Sequence, residues 1–325
     1  MSRQDIISYL GSDWDRVQAL IRRQLHSDVA LLEQTNAHFL ANAGKMLRPM
    51  VSLLIARAIG TPTRDSICYA AASELLHNAT LFHDDVADGS AERRGQPTVS
   101  ALFGASTAVL IGDYWLARAV DLVVDTQHRD DVIRKFAKTL TDLAEGEMLQ
   151  LEKAASCDTT EEDYLRIIYS KTASLFEASA LAAAISVDAP DAVREAAADF
   201  ARNLGLAFQI KDDIFDYESS AEEVGKPVGI DLQEQKITQP LLCALESASA
   251  EEAAAVRKKV VDILDHPELA GEVKDFVLSR DGVAQARKKL DGYIGLALSS
   301  LETLPESQER NYLVELARFV GERTR

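Results

Sequence analysis

Two stretches of this chain end an apolar helical run on three aspartates each. In SELLHNATLFHDDVADG these are Asp84, Asp85 and Asp88; in FQIKDDIFDY they are Asp212, Asp213 and Asp216. Carboxylates in the last turn of a helix oppose the negative end of its dipole, and a pair at i,i+4 repels itself. The placement is unfavourable unless cations bind, and oxygen-only donors one helical turn apart suit Mg²⁺, which keeps several waters and completes its shell with phosphate oxygens. With 28 Asp in the sequence, chance gives about 0.2 copies of this spacing, so one copy means little and two mean a good deal.

A bound anion needs positive charge, and the basic candidates lie close by. GKMLRPMVSLL sets Lys45 and Arg48 at a helix start, where free backbone N–H groups and the dipole add to the attraction. Arg93 and Arg94 follow the first aspartates directly. Lys171, in YSKTASLF, interrupts an Ala-rich helix where an unpaired lysine is expensive to bury. Glu74 and His77 form a Glu-x-x-His pair of the di-iron kind, but that site needs two pairs and no other histidine follows a glutamate at that spacing.

The elements that must position these groups are helices. Ala, Leu, Glu and Lys recur at spacings of three and four, glycine (16) and proline (8) are sparse, and period-2 β-branched runs are hard to find. The pattern predicts an all-α chain with helices at about 4–42, 49–60, 62–88, 98–125, 130–155, 160–186, 190–217 and 240–250, then shorter ones to the end. No Gly/Ser/Pro-rich linker divides them, so residues 1–325 are expected to form one domain, a core bundle over about 1–245 with C-terminal helices over about 246–325. Gly89 is placed to end the first aspartate helix. The stretch SSAEEVGKPVGIDLQEQKIT, with Lys226, Asp231 and Lys236, reads as a mobile lid.

The net charge of −17 argues against nucleic acid as a partner. The longest apolar candidate, ASALAAAISV, is too short to span a bilayer, and the charged N-terminus does not resemble a signal peptide, so a cytoplasmic protein without a membrane anchor is expected. Cys68, Cys157 and Cys243 are far apart with no CxxC pair and read as buried thiols.

Taken together, these motifs resemble the trans-isoprenyl diphosphate synthase (polyprenyl synthetase) family, from GKMLRP to KITQPLL. LFHDDVADGSAERRG is similar to its first aspartate-rich motif, FQIKDDIFDY to its second, and GKPVGIDLQEQKITQP to the lid that follows; HNAT, GDYWLARA, EGEMLQL and the Lys171-Thr172 pair also match. The resemblance implies the isoprenoid-synthase helical bundle around a central apolar tunnel, a homodimer, and Mg²⁺-dependent head-to-tail condensation of isopentenyl diphosphate with an allylic diphosphate such as farnesyl or geranylgeranyl diphosphate. By the resemblance, Asp84, Asp85 and Asp88 hold two Mg²⁺ on one side of the allylic diphosphate, and Asp212, with Asp213 and Asp216 near it, holds a third on the other. Arg93, Lys171, Lys226 and Lys236 bind the same diphosphate; Lys45, Arg48, His77 and Arg94 bind isopentenyl diphosphate. Gln209, Lys171 and Thr172, where the family's helix kinks, face the reacting carbon. Two positions depart from the family: Met46 replaces a basic or small polar residue, and Gln235 a glycine.

The growing chain is expected to run along the helix that carries Asp84. Thr80, His77 and Ser73 lie within about 40° of the Asp84 face. Short-chain members of the family block the tunnel with aromatic residues four or five places before the first aspartate; here Ala79 and Thr80 stand there, both small. A product of roughly 30 to 50 carbons is therefore expected, since a tail of about 30 Å runs beside about 20 residues of helix. Leu76, Phe136 and Leu143 are candidate floor residues. The alternatives are a short-chain synthase, a terpene cyclase, against which GKMLRP and Arg94 speak, a head-to-head synthase, and a non-catalytic regulatory subunit, against which two intact triads speak.

Overall fold

A computed structural model describes residues 3–41, 44–93, 95–218 and 229–322. Among them the protein is all-α apart from a two-stranded hairpin, β1 (Glu92–Arg93) against β2 (Gln96–Pro97). Arg94 and Lys226 lie outside the described residues, as does 219–228 of the expected lid. The chain groups into two compact units: Met1–Ala137 with Ala178–Ala198 and Thr303–Leu313, and Lys138–Glu177 with Asp199–Glu302 and Val314–Arg325.

The first unit holds α1 (Arg3–Leu10), α2 (Ser12–Leu25), α3 (Ala30–Ala41), α4 (Leu47–Ile59), α5 (Arg64–Ala87), α6 (Val99–Phe103) and α7 (Ala105–Val124). The single helix expected over 4–42 is three helices. Gly11, at φ +51, breaks the first from the second, and His26 is extended, ending the second. Arg57 of α4 compensates at the first break, donating to the carbonyls of Tyr9 (2.9 Å) and Leu10 (2.6 Å) and pairing with Asp13 at 2.7 Å. Those carbonyls are among the last of α1, which the helix itself cannot satisfy. The helix expected over 98–125 is likewise cut, at Gly104 (φ +87).

Central to this unit is α5. A reciprocal capping box starts it, Ser66 N–H donating to Thr63 Oγ1 and Thr63 N–H to Ser66 Oγ. Tyr69, Ala70, Ala71, Ala72, Leu75, Ala79 and Phe82 are fully buried, and the alanines allow neighbouring helices to approach closely. Phe82 meets Phe39 and Trp115 at centroid distances of 4.6 and 5.3 Å, and the Trp115 indole N–H donates to Asn36 Oδ1 at 2.8 Å. Cores of this kind gain about 1.5–3 kcal/mol for each large apolar side chain buried.

The second unit takes its helices from α8 (Arg129–Ser156), α9 (Glu161–Ile168), a π-helical turn (Tyr169–Ala173), α10 (Ser174–Ile185), α11 (Asp191–Glu218), α12 (Ile230–Gln233), α13 (Gln239–Glu246), α14 (Ala250–Asp262), α15 (Leu269–Ser279), α16 (Gly282–Ser300) and α17 (Gln308–Glu322), with α8, α10, α11 and α17 each contributing only a part. The helix expected over 160–186 is thus interrupted by wide π-turns, a feature often found at functional sites. Two glycines make room for it. A Cβ on Gly205 of α11 would stand 2.6 Å from Ala173 Cα, and one on Gly146 of α8 would stand 2.6 Å from Ser170 Cβ. Buried Glu177 ties the turn's ends, accepting from Tyr169 OH (3.2 Å) and from Arg202 Nε (2.7 Å). The three cysteines are free and buried, as expected.

Candidate active site

The first unit carries Asp84, Asp85, Asp88, Arg93, Lys45, Arg48, His77, Ala79 and Thr80. Gly89 ends α5 as expected: at φ +61 its N–H bonds the Val86 carbonyl (3.3 Å), and Ser90 N–H bonds the Asp85 carbonyl (3.0 Å). This is the paired arrangement of a Schellman motif. Asp84 is half-buried and Asp88 exposed, one turn apart on one face. Asp85, 100° round the helix, is buried and accepts from Arg93 Nε at 2.7 Å. Arg93 is delivered by the β1–β2 hairpin, which Thr98 pins to the helix end through its hydroxyl on the Ser90 carbonyl (2.8 Å).

Helix α4 begins at Leu47, two residues before the expected Pro49 start, and Met46 caps it in the left-handed region at φ +49. Arg48 therefore sits in the first turn, half-buried, and Lys45 just ahead, exposed. The turn is held from α1, where Arg3 Nε donates to the Lys45 carbonyl at 2.9 Å. His77 and Thr80 are half-buried, whereas Ala79 is fully buried.

The second unit brings Lys171, Gln209 and Lys236 onto one cavity of about 140 Å³, with Asp213 and Asp231 in the same wall. A hydrogen-bond chain orders it. Tyr164 OH donates to Asp213 Oδ2 (2.6 Å), Gln209 Nε2 donates to Asp213 Oδ1 (3.0 Å), and Thr172 Oγ1 donates to Gln209 Oε1 (2.9 Å). Because an ionised carboxylate only accepts, the Gln209 amide must turn its NH₂ toward Asp213 and its oxygen toward Thr172. Lys171 Nζ reaches Gln150 Oε1 at 2.9 Å and Glu147 at 2.8 Å. Lys236 contacts Glu234.

Burial pushes the Asp213 carboxyl up to about 6, with the charge of Asp212 adding to the rise and the bonds from Tyr164 and Gln209 opposing it. Asp231 is raised too, by burial and by the neighbouring charges of Asp213 and Asp216. Desolvation favours the neutral acid, and a positive charge placed beside either group would favour its ionised form. Asp216 is otherwise engaged: Oδ1 accepts the N–H groups of Gly229 (2.9 Å) and Ile230 (3.1 Å), and Oδ2 that of Asp231 (3.2 Å). Asp212 remains half-buried on the same face. Gln235, where the family favours glycine, adopts the left-handed φ of +57 that glycine tolerates best. Its side chain compensates by donating to the Val260 and Val261 carbonyls at 3.2 and 2.8 Å.

The donor set suits Mg²⁺. Among the described residues no three metal-ligating side chains are gathered into one cage. Each unit separately presents hard oxygen donors of the type Mg²⁺ takes alongside water and phosphate, Asp84 and Asp88 in the first and Asp212 in the second. Sequence reasoning assigned no role to Tyr164, Gln150 or Asp231. Asp231 was visible within GIDLQEQK and Gln150 within EGEMLQL; nothing local marks Tyr164.

A model of the family described as Polyprenyl synthetase matches residues 29–276. The chain is 38% identical to an all-trans-nonaprenyl-diphosphate synthase (geranyl-diphosphate specific) of Rhodobacter capsulatus, over 99% of this chain and 98% of that one. It is similar to the crystal structure of a decaprenyl diphosphate synthase from Rhodobacter capsulatus, with TM-score 0.92, 36% identity and full coverage of both chains (100% each). It is also similar to a polyprenyl synthase from Caulobacter crescentus complexed with calcium and isoprenyl diphosphate, with TM-score 0.90 and 33% identity over 100% of this chain and 98% of that one.

Proposed function

We propose, from the premise that this chain belongs to the polyprenyl synthetase family, that it is an all-trans polyprenyl diphosphate synthase. It is a prenyltransferase that joins isopentenyl diphosphate head-to-tail to an allylic diphosphate, farnesyl or geranylgeranyl, and extends the product to roughly 30 to 50 carbons, a tail of about 30 Å beside α5. The observation that carries the reading is the cavity shared by Lys171, Gln209 and Lys236, which come from three separate elements.

Asp84, Asp88 and Asp212 would hold Mg²⁺, three ions in all, with Asp85, Asp213 and Asp216 beside them. Bound there, Mg²⁺ supplies positive charge to the diphosphate as the allylic C–O bond breaks. Arg93, Lys171 and Lys236, with Lys226, bind the allylic diphosphate; Lys45, Arg48 and His77, with Arg94, bind isopentenyl diphosphate. The Asp85–Arg93 pair fixes the guanidinium so that little is lost in ordering it when an anion arrives. Gln209 Oε1 and Thr172 Oγ1, oriented through Asp213 and Tyr164, present oxygen lone pairs to the allylic cation. The apolar wall of Ile167, Ile168 and Ile237 keeps water from trapping it. The isopentenyl double bond attacks the allylic cation and the leaving diphosphate takes the final proton, so neither a protein nucleophile nor a protein base is needed.

A homodimer is part of this reading. Val109, Leu110, Val120 and Val124 are exposed on one face of α7, Leu110 by 66%, and a second copy would cover them. Among the described residues no helix is long and apolar enough to cross a membrane, and we place the enzyme in the cytoplasm. The test is to incubate the purified protein with Mg²⁺, labelled isopentenyl diphosphate and farnesyl diphosphate, and to resolve products by chain length. A metal-dependent ladder passing 30 carbons is expected. Products ending at 15 or 20 carbons refute the long-chain assignment, and no condensation with any allylic primer refutes the enzyme.

A further inference from the structure

We propose that Asp216 is a positioning residue that fastens the chain at Gly229–Asp231, and so sets Lys236 and Asp231 in the cavity wall, rather than a metal ligand. The inference rests on the reading of Lys236 as a diphosphate-binding residue. Three backbone N–H groups converge on the one carboxylate, two on Oδ1 at 2.9 and 3.1 Å and one on Oδ2 at 3.2 Å. They belong to Gly229, Ile230 and Asp231, the cap and first turn of α12, donors that no helix can satisfy internally. A carboxylate offers about four lone-pair sites. With three taken by charge-assisted bonds, both sites on Oδ1 are filled and at most one, on Oδ2, is left for a cation.

The fastening is transmitted to the cavity over a short path. Asp231 carries both the third N–H and a carbonyl that accepts the Lys236 N–H at 2.7 Å. Asp231 and Lys236 both line the cavity with Lys171 and Gln209. Gln235 makes a separate attachment to the end of α14 through its two carbonyl bonds. Loss of Asp216 therefore loosens the start of the segment while its far end stays tied. Gly229, at φ +77, supplies the left-handed conformation that turns its N–H toward the carboxylate.

The decisive measurement is hydrogen–deuterium exchange on the full chain without Mg²⁺ or substrate, followed at residues 229–236, in the parent protein and in Asp216→Ala, Asp216→Asn and Asp212→Ala. Exchange is expected to rise about tenfold or more in Asp216→Ala, to rise less in Asp216→Asn, whose amide oxygen can still accept the Gly229 and Ile230 bonds, and to be unchanged in Asp212→Ala. In steady-state assays Asp216→Asn should raise KM for the allylic diphosphate several-fold at an unchanged Mg²⁺ requirement, and should recover part of what Asp216→Ala loses. Parent-like exchange in Asp216→Ala overturns the proposal, as does an Asn variant that matches Ala and needs more Mg²⁺. Failure of the enzyme reading looks different, since the parent protein would then show no condensation while the exchange comparison still decides what Asp216 holds.

Discussion

Replacing Gly205 by alanine adds one methyl group at the place where α11 touches the π-helical turn. The new Cβ would lie 2.6 Å from Ala173 Cα, 2.9 Å from Ala173 Cβ and 3.4 Å from Ala173 N. Carbon atoms in contact rest near 3.5–4.0 Å, so the turn must retreat by about 1 Å, and the obstacle is backbone rather than a movable side-chain tip. Thr172 precedes Ala173, and its hydroxyl meets Gln209 at 2.9 Å. A displacement of about 1 Å stretches that bond beyond hydrogen-bonding range and moves Lys171 with it; misplacement on this scale can cost on the order of 100-fold in rate. Overpacking costs about 1–3 kcal/mol of stability, partly offset by the 0.5–1 kcal/mol that alanine gains over glycine in a helix. Gly205→Ala should therefore fold with a modestly lower Tm and turn over roughly 10- to 100-fold more slowly. Gly295→Ala in α16, where nothing lies within 4 Å of the added Cβ, is the control and should keep full turnover. A folded Gly205→Ala enzyme with undiminished kcat would refute the reasoning that the close approach sets the catalytic geometry.

Asp84→Ala and Asp212→Ala should each lower turnover by orders of magnitude at an unchanged Tm, and parent-like rates in either variant would remove the metal assignment. Thr80→Phe should shorten the product, because the ring enters about 6 Å along the helix axis from Asp84; chromatography of the chain lengths decides it. Ala79→Phe is predicted to shorten the product as well, but Ala79 is fully buried, so a loss of about 1–3 kcal/mol should accompany it; unchanged products in both variants would mean that the chain takes another route. Arg57→Ala should destabilise the protein by roughly 2–4 kcal/mol, since it orphans the Tyr9 and Leu10 carbonyls and leaves Asp13 with its Arg16 pair alone; denaturant melts with an unchanged midpoint would contradict that.

Helical periodicity and the approximate ends of α5, α8 and α11 were legible because they are local: apolar spacing and, for α5, a Gly89 stop. The π-turn was not. Its cause is the meeting of Gly146 and Gly205 with Ser170 and Ala173, residues from three helices, and neither glycine sits at a chain break that a reader would mark. The breaks at Gly11 and Gly104 were missed for the opposite reason. Apolar residues keep helical spacing across each glycine, and only the positive φ shows that the helix does not continue.

The aspartates show where a motif stops being informative. The spacing i, i+1, i+4 puts the first and third carboxylates on one face and the second about 100° away, so the inward turn of Asp85 and Asp213 follows from the pattern itself. What each meets there does not: Asp85 finds Arg93 eight residues on, Asp213 finds Tyr164 forty-nine residues back. The third position separates the two copies further. Asp88 is followed at once by Gly89, whose left-handed turn closes α5 on its own carbonyls and leaves Asp88 exposed. Asp216 has no such stop, and the N–H groups that seek an acceptor come from α12, thirteen to fifteen residues further along. Two identical five-residue patterns thus acquire different third members, because the acceptor capacity of a carboxylate is claimed by whichever unsatisfied donor the fold brings to it. A substitution at Asp88 should accordingly leave the backbone after α5 in place, where one at Asp216 should not.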